Sequence, residues 1–168
     1  VITRGYNDDA AVELARLTLE KPWQIRFIEL MPFAGPTEIQ LEHYVSSEEV
    51  RGRIEAELGP LFELNDGQLD GEARLYRLAG AEGAVGFISP VSNPYCDDCN
   101  RMRLTADGRL RMCLLVDGEV NLKRILRGGG SQADLAAVFE REIRAKPVGH
   151  KLKNGQFAEN RTMSQIGG

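Results

Sequence analysis

The segment SNPYCDDCNRMRLTADGRLRMCLL, residues 92–115, contains the three cysteines of this 168-residue chain: Cys96, Cys99 and Cys113. Two residues separate the first pair, and thirteen residues separate the second cysteine from the third. The tripeptide Ala-Asp-Gly at 106–108 suits a hairpin loop in which the glycine takes a left-handed conformation. The segment therefore predicts two antiparallel strands, Arg101–Thr105 and Arg109–Leu115, that bring the third cysteine back to the first two.

The predicted hairpin has two different faces. In its register Arg103 lies opposite Arg111, and Arg101 lies opposite Cys113. Successive side chains of a strand point to opposite faces, so these arginines share a face with the cysteine. The other face is apolar and consists of Met102, Leu104, Leu110 and Met112. A two-residue slip in the turn would abolish this arrangement.

The three cysteines favour a metal site. Thiolates ligate iron–sulfur clusters or zinc, and nearby guanidinium groups favour thiolates and present forked donors to phosphate oxygens. Structural zinc takes four protein ligands, but the two histidines, His43 and His150, lie outside the usual ligand spacing. A cubane cluster held by three cysteines leaves one iron open to a substrate. An iron–sulfur cluster is the favoured interpretation, with zinc and buried free thiols as alternatives.

Composition restricts the kinds of partner. The net charge is −4 and the isoelectric point is near 5.3, which argues against a surface that binds nucleic acid throughout. The sequence has neither a run of eighteen apolar residues nor a signal-peptide pattern. An odd number of cysteines leaves one thiol outside any disulfide framework and favours a reducing compartment. We expect a cytoplasmic protein with no membrane or nucleic-acid partner.

Hydrophobic periodicity predicts alternating elements followed by short strands. The predicted helices are Asp8–Glu20, Ser46–Leu58, Leu122–Leu126 and Ser131–Ala145. The predicted strands are Trp23–Met31, Leu61–Leu64, Arg74–Leu78 and Ala84–Val91. A strand, a helix and a strand at the start are typical of a parallel crossover, whereas glycine-rich turns between 61 and 92 favour antiparallel pairing. Residues 33–45 are expected to form a loop, and the tail after Pro147 is either disordered or an arm laid across a site.

Four features of the sequence together resemble one enzyme family. They are GYNDD at 5–9, RFIELMPF at 26–33, the cysteine segment and the terminal Gly-Gly pair. These features are similar to those of the GTP 3′,8-cyclases, radical S-adenosylmethionine enzymes of molybdenum cofactor biosynthesis. The similarity covers nearly the whole chain, and the cysteine spacing combined with the following arginines and the double-glycine end makes it specific.

The resemblance implies roles for individual residues. It implies that the three cysteines, Cys96, Cys99 and Cys113, ligate an auxiliary 4Fe-4S cluster whose open iron meets the guanine of GTP. It also implies that Arg101 and Arg103 line the GTP site and that Met31 packs on S-adenosylmethionine. Gly167 and Gly168 match a terminal pair that supports catalysis. The hairpin register alone adds Arg111 as a third GTP-binding arginine.

The resemblance also implies a reaction and its partners. A 5′-deoxyadenosyl radical from S-adenosylmethionine removes hydrogen from C3′ of GTP, and the product is 3′,8-cyclo-7,8-dihydro-GTP. A pathway partner, cyclic pyranopterin monophosphate synthase, uses that product. The radical requires a second 4Fe-4S cluster on a CxxxCxxC motif, which these 168 residues lack, and Val1 is not an initiator methionine. We therefore expect the carboxy-terminal part of a longer enzyme, inactive without its own amino-terminal half.

The expected fold class is α/β. Residues 1–45 would be the last βα units of an incomplete TIM-like radical S-adenosylmethionine barrel. Residues 46–168 would form an antiparallel α+β carboxy-terminal layer that carries the auxiliary cluster and the GTP site. Without its barrel neighbours the segment Ile25–Leu30 would expose an apolar strand edge, so self-association is expected.

Three other functions remain open at the level of sequence. Peptide-modifying radical enzymes also carry auxiliary clusters, but they usually have more cysteines and no Gly-Gly end. A zinc ribbon that grips nucleic acid would use the hairpin arginines on phosphates, although Tyr95 is the only aromatic residue near them. In a purely structural site, the cysteines would only staple the hairpin. Nucleotide binding distinguishes these possibilities.

Overall fold

The computed structural model describes residues 1–32, 42–152 and 158–166. These residues form two compact units. The first unit contains Val1–Met31 and, among the described residues, 42–95, and the second contains Pro32 and the described residues from Cys96 onward. This division does not coincide with the predicted boundary between residues 45 and 46. The assignment of residues 1–45 to a barrel stays a prediction.

The first unit combines two helices with a mixed four-stranded sheet. Its helices are α1 (Ala10–Glu20) and α2 (Ser47–Leu58), and its strands are β1 (Gln24–Ile28), β2 (Leu61–Glu63), β3 (Arg74–Leu78) and β4 (Ala84–Ile88). The strand order is β1-β4-β3-β2. Strand β4 pairs antiparallel with β3 and parallel with β1, from Gln24 opposite Ala84 to Ile28 opposite Ile88. The predicted antiparallel pairing is confirmed for β2–β4, but β1 makes the sheet mixed.

The predicted crossover at the start of the chain is confirmed in outline. Ile2 forms a parallel bridge with Glu29, and α1 lies between them in sequence. The side chain of Asp9, the residue before α1, makes no capping hydrogen bond. Instead, Asn7 and Asp8 accept hydrogen bonds from the backbone amides of the preceding turn. They stabilise the entry into α1 rather than its first turn.

One apolar core holds the first unit together. Its buried members include Phe27, Ile54, Val85 and Phe87, and Ile54 and Val85 have no exposed surface. Gly83 allows close approach at the edge of this core, since a Cβ there would lie 2.2 Å from the carbonyl oxygen of Trp23. The apolar side chains of β1 are buried or half-buried against β4. Self-association through Ile25–Leu30 stays a prediction.

The second unit places three helices around a three-stranded antiparallel sheet. Its strands are β5 (Arg103–Leu104), β6 (Arg109–Arg111) and β7 (Val120–Asn121), in the order β5-β6-β7. Its helices are α3 (Leu122–Arg127), α4 (Gln132–Ala145) and α5 (Met163–Ile166). The predicted hairpin register is confirmed, because Arg103 lies opposite Arg111 and Gly108 has a φ of 80°. The turn chemistry therefore determines which side chains share a face.

The apolar face of the hairpin packs on α3 and α4. Leu110 is 3% exposed and forms a core cluster with Leu122 and Val138, against which Met102 and Met112 also pack. Leu104 was expected on the same covered face, yet it is 63% exposed. It lies on β5, the edge strand, where the cover over the central strand ends. A residue on the apolar face of a hairpin can therefore be exposed when its strand lies at the edge of a small sheet.

Local capping signals in the second unit are accurate. Ser131 begins α4 with a complete capping box, in which its side chain and that of Asp134 exchange hydrogen bonds with the backbone. The described parts of the tail are packed: Leu152, Ala158 and Ile166 are at most 7% exposed. Of the two alternatives for the tail, disorder does not describe these residues. In the described parts of the chain, no helix has the length and apolar character needed to cross a membrane.

Candidate metal and nucleotide site

The first two cysteines lie on a tight turn in the second unit. A 3₁₀ turn spans Cys96–Asp98, and the backbone amide of Cys99 donates to the carbonyl oxygen of Cys96 at 3.2 Å. Both thiols belong to half-buried residues, while the intervening Asp97 and Asp98 are exposed. The two-residue spacing thus directs the acids to solvent and leaves both thiols available as ligands.

The third cysteine follows β6 and lies near the other two. The amide of Leu115 donates to the Sγ of Cys113 at 3.4 Å. Burial raises the pKa of the Cys113 thiol, and the negative charges of Cys96 and Cys99 raise the pKa further. An electrostatic effect of this kind requires proximity. The Cys113 thiol therefore lies within electrostatic range of the other two thiols.

A lysine organises this cysteine turn. The Nζ of Lys146 donates to the carbonyl oxygens of Cys99 and Arg101, and it lies 3.5 Å from the Sγ of Cys99. Its positive charge opposes the rise in the pKa of Cys113. Sequence reasoning missed Lys146, because it is 47 residues from Cys99 and reads as an ordinary residue after a helix. Only the packing of α4 reveals its role.

The chain after α4 passes against Cys96. A Cβ at Gly149 would lie 3.3 Å from both the Cβ and the Sγ of Cys96, so a side chain here would crowd the thiol. This contact agrees with the prediction of an arm laid across a site, for the described residues near 149. The tail therefore contributes to the surroundings of the cysteines.

The donors suit a soft metal group. Three thiols, an ammonium group and an amide that donates to sulfur favour an anionic iron–sulfur cluster. Among residues 1–32, 42–152 and 158–166, no group of three or more His, Cys, Asp or Glu side chains is arranged to hold a single metal ion. In a cubane each cysteine binds a different iron, so its ligands need not converge on one point. The donor set fits a cluster.

The predicted GTP-binding arginines differ in exposure. Arg101 is exposed and Arg103 is half-buried on β5. Arg111 has no exposed side-chain surface, and its guanidinium donates to Glu119 at 2.8 Å and to the carbonyl oxygen of Val116 at 3.1 Å. The register places Arg111 on the cationic face, but its buried guanidinium is paired with the carboxylate of Glu119. Its contact with GTP stays a prediction.

In the first unit, Met31 lies beyond the carboxyl end of β1 and is half-buried. Because β1 and β4 are parallel, the segments that follow them, including 89–92, leave the sheet at the same edge. This is the edge at which open α/β sheets bind ligands. The structure thus gives Met31 a position suited to binding, although its role there stays a prediction.

A buried carboxylate holds this edge together. Glu29 is 2% exposed and accepts hydrogen bonds from the amides of Ser47, Val91 and Ser92, each at 2.9 Å, and from the Ser92 hydroxyl. Burial alone would raise the pKa of Glu29, but these hydrogen bonds lower it below its ordinary value. Burial and the charge of Glu29 raise the pKa of Tyr44 to about 12. Glu29 therefore fixes the segments after both parallel strands.

The motif at 26–33 contains Glu29, but the sequence alone assigns this residue no role. The signal was present, since Glu29 stands between Ile28 and Leu30, and a carboxylate that is buried with apolar neighbours requires hydrogen-bond partners. Gly167 and Gly168 lie outside the described residues, so their predicted role is not addressed by the structure. The residues just before them are described up to Ile166, which is fully buried.

Comparison with known proteins gives a consistent result. Residues 23–152 match the family described as Molybdenum Cofactor Synthesis C. The chain is 49% identical over 168 residues to the GTP 3′,8-cyclase of Moorella thermoacetica and 44% identical over 168 residues to that of Pelotomaculum thermopropionicum. It is 42% identical over 175 aligned residues to that of Microcystis aeruginosa.

Each comparison covers all of this chain but only 51% or 52% of the relative. The chain thus spans about half the length of the curated relatives it matches. The resemblance inferred from the cysteine segment and its companion motifs is confirmed. With more than half of its residues matched, the chain belongs to the Molybdenum Cofactor Synthesis C family.

Proposed function

We propose that this chain is the carboxy-terminal part of a radical S-adenosylmethionine GTP 3′,8-cyclase of molybdenum cofactor biosynthesis. The observation that carries this proposal is the set of three half-buried cysteines, two on a turn held by Lys146 and one just after β6, on either side of Arg101 and Arg103 in sequence. The relatives named GTP 3′,8-cyclase support the identity of the substrate.

The cysteines Cys96, Cys99 and Cys113 would hold the auxiliary 4Fe-4S cluster. When bound, the cluster would supply an open iron, a Lewis acid that binds the guanine of GTP. Lys146 would keep the cysteine turn in shape through its hydrogen bonds to Cys99 and Arg101. Its charge would also offset part of the negative charge that three thiolates bring to a half-buried site.

The arginines of the hairpin would orient the nucleotide. Arg101 and Arg103 carry forked donors that match phosphate oxygens. Arg103 lies on β5, and Arg101 precedes that strand two residues after Cys99. Fixing the triphosphate in this way would hold one ribose hydrogen toward the radical, which is an orientation effect. Arg111 stays the third predicted contact, but its guanidinium would have to leave Glu119 to reach a nucleotide.

The remaining parts of the proposal concern the complete enzyme. Met31 would pack on S-adenosylmethionine, and Gly167 and Gly168 would support catalysis. Residues 1–45 would complete a partial TIM-like barrel with the enzyme's own amino-terminal half, which would carry the second 4Fe-4S cluster. The cyclised nucleotide would then pass to cyclic pyranopterin monophosphate synthase. Without the amino-terminal half, this chain would bind cluster and GTP but form no product.

Anaerobic reconstitution with iron and sulfide tests the proposal. We expect about four irons per chain, and a spectroscopic signal of the cluster that changes when GTP is added. Cys113→Ser should reduce the iron content strongly. Arg101→Gln and Arg103→Gln should retain iron and weaken GTP binding, by roughly tenfold for each lost charge-assisted pair.

Arg141→Gln is the matched control for the arginine variants. Arg141 is an exposed arginine of the same unit, and it pairs with the neighbouring Glu142. This variant should bind GTP like the wild type. One tightly bound zinc ion, with no response to GTP, would contradict the proposal and favour a structural or nucleic-acid-binding module.

A further inference from the structure

Three carboxylates hold the end of the described chain. They belong to the sheet β5-β6-β7 and its connecting turns, residues 103–121, which we call the hairpin layer. They lie in the β5–β6 turn and between β6 and β7: Asp107, Asp117 and Glu119. The backbone amides of Glu159 and Asn160 donate to Asp117 at 2.8 and 3.3 Å. Segment 158–166, which we call the tail segment, thus begins with hydrogen bonds to the hairpin layer of the same unit.

Arg161 is the centre of this attachment. Its Nη2 donates to Asp107 at 2.8 Å and to Glu119 at 3.0 Å. Its side chain is 17% exposed and that of Glu119 is 13% exposed, so the pair is shielded from solvent far more than an ordinary surface ion pair. Glu119 also binds the buried Arg111. The tail segment is therefore joined through one carboxylate to the strand that precedes Cys113.

The electrostatics agree with this geometry. Hydrogen bonds from Arg161 and Thr105 lower the pKa of Asp107. Burial would raise the pKa of Glu119, but hydrogen bonds from Arg161 and Arg111 lower it. The pKa of Arg161 is raised by its hydrogen bonds to Glu119 and Asp107. Both carboxylates are therefore charged when they hold Arg161 at neutral pH.

Arg161 also orders the short helix that follows it. Its Nη1 donates to the carbonyl oxygen of Gln165 at 3.4 Å, and the amide of Thr162 donates to the Gln165 side chain at 3.0 Å. Ile166, at the end of α5, has no exposed surface. One guanidinium thus links the hairpin carboxylates to the last described turn of the chain, which directly precedes Gly167 in sequence.

We propose that Arg161 is a positioning residue, which fastens the tail segment to the hairpin layer through Asp107 and Glu119 and so holds α5 in the unit that carries the cysteines and the hairpin arginines. This inference deepens the proposed function and rests on it for the effect on GTP. The fastening itself rests only on the contacts of Arg161. A merely stabilising ion pair would strengthen the whole layer, whereas a positioning residue governs the tail segment selectively.

Hydrogen–deuterium exchange of the complete 168-residue chain tests the fastening. In Arg161→Gln we expect amides 158–166 to exchange on the order of tenfold faster, while amides 103–111 of the hairpin keep their wild-type rates. Arg161→Lys should be intermediate, because an ammonium group cannot bind two carboxylates as a guanidinium fork does. Arg141→Gln, in the same unit, is the control and should leave the tail segment unchanged.

GTP titration of the reconstituted chain tests the positioning role. Arg161→Gln should retain wild-type iron content and bind GTP several-fold more weakly. Unchanged exchange in the tail segment, or equal acceleration in the hairpin, would overturn the fastening. Wild-type affinity for GTP in a variant with a released tail would overturn the positioning role. If the wild type itself failed to bind GTP, the proposed function and the positioning role would both fall, while the exchange comparison would still decide the fastening.

Discussion

The two units of this chain are stabilised by different interactions. In the first unit, the described core cluster contains twelve buried residues, and burial of apolar surface is the main stabilising term. In the second unit, the described cluster around Leu110 contains three. Here Arg111, Glu119 and Arg161 form a shielded network of charges, and the cysteines would add a metal. The unit proposed to bind GTP and the cluster is therefore the one with the smaller described apolar core.

This difference has a physical reason. A metal site and an anion site need thiols, guanidinium groups and backbone donors near the surface, and each replaces a residue that could have been apolar. Such a unit gains stability from paired charges and from whatever binds it. Each prediction below tests whether the first unit depends on its core and the second on its polar contacts.

The largest effect on the free energy of unfolding is expected when a buried side chain in the core of the first unit is shortened. Ile54→Ala should destabilise the first unit by about 3 kcal/mol, because Ile54 is fully buried and a cavity would remain. Val138→Ala, in the second unit, should cost about 1.5 kcal/mol, since two methyl groups are lost at a site 9% exposed. Urea unfolding with residue-resolved amide exchange measures both. Equal losses would contradict the proposed difference between the units.

The next effect concerns the one buried carboxylate at the edge of the first sheet. Glu29→Gln should cost about 2 kcal/mol, because an amide group cannot accept all the hydrogen bonds that Val91, Ser92 and Ser47 donate. Urea unfolding of the first unit measures this loss. Glu82→Gln, at an exposed glutamate of the same unit, is the control and should change stability little. A neutral Glu29→Gln would mean that the edge is held by packing instead.

The two helix caps provide a matched pair across the units. Ser46 and Ser131 each accept a hydrogen bond from the third residue of the helix, in α2 and α4. Replacing either by alanine should cost about 1 kcal/mol. We expect Ser131→Ala to accelerate amide exchange throughout α4, whereas Ser46→Ala should affect mainly the first turn of α2, which buries Val50 and Ile54. The same spread of exchange in both helices would argue against a weaker core in the second unit.

The smallest effect expected is on the acid response of the tail segment. The pKa of Asp107 is lower in the folded chain than its unfolded value of about 3.9. Its stabilising contribution is therefore complete above that pH and is lost as the pH falls through the folded pKa. Asp107→Asn should remove this contribution at pH 6 and flatten the response of the Ile166 methyl signals to acid, followed by NMR.

Asp134→Asn is the control for this titration. The pKa of Asp134 is also lowered, by hydrogen bonds from Ser131, but it caps α4 and does not bind the tail segment. The Ile166 signals of this variant should follow those of the wild type. Identical titration curves for Asp107→Asn and the wild type would show that Asp107 does not hold the tail segment.

Much of the candidate site was predictable because its signals are local. The Ala-Asp-Gly loop determines the hairpin register through the left-handed conformation of Gly108. That register places Arg103 opposite Arg111. The Ser131 cap was equally readable, since a capping box needs only residues three positions apart. Glu29 could have been recognised, because a carboxylate between Ile28 and Leu30 must be hydrogen-bonded when it is buried.

The sequence by itself determined most helices and strands and the hairpin register, since these depend on neighbouring residues and on turn chemistry. Only the tertiary structure decided that Lys146 braces the cysteine turn, that Arg111 is buried against Glu119 and that Arg161 fastens the tail segment. Each of these contacts joins groups brought together by packing, and Lys146 and Arg161 lie more than forty residues from their partners. The sequence pattern of charged residues does not predict which distant residue each of them will contact. Their roles follow from burial, because a charged group that loses water must find hydrogen-bond acceptors or an opposite charge in the protein.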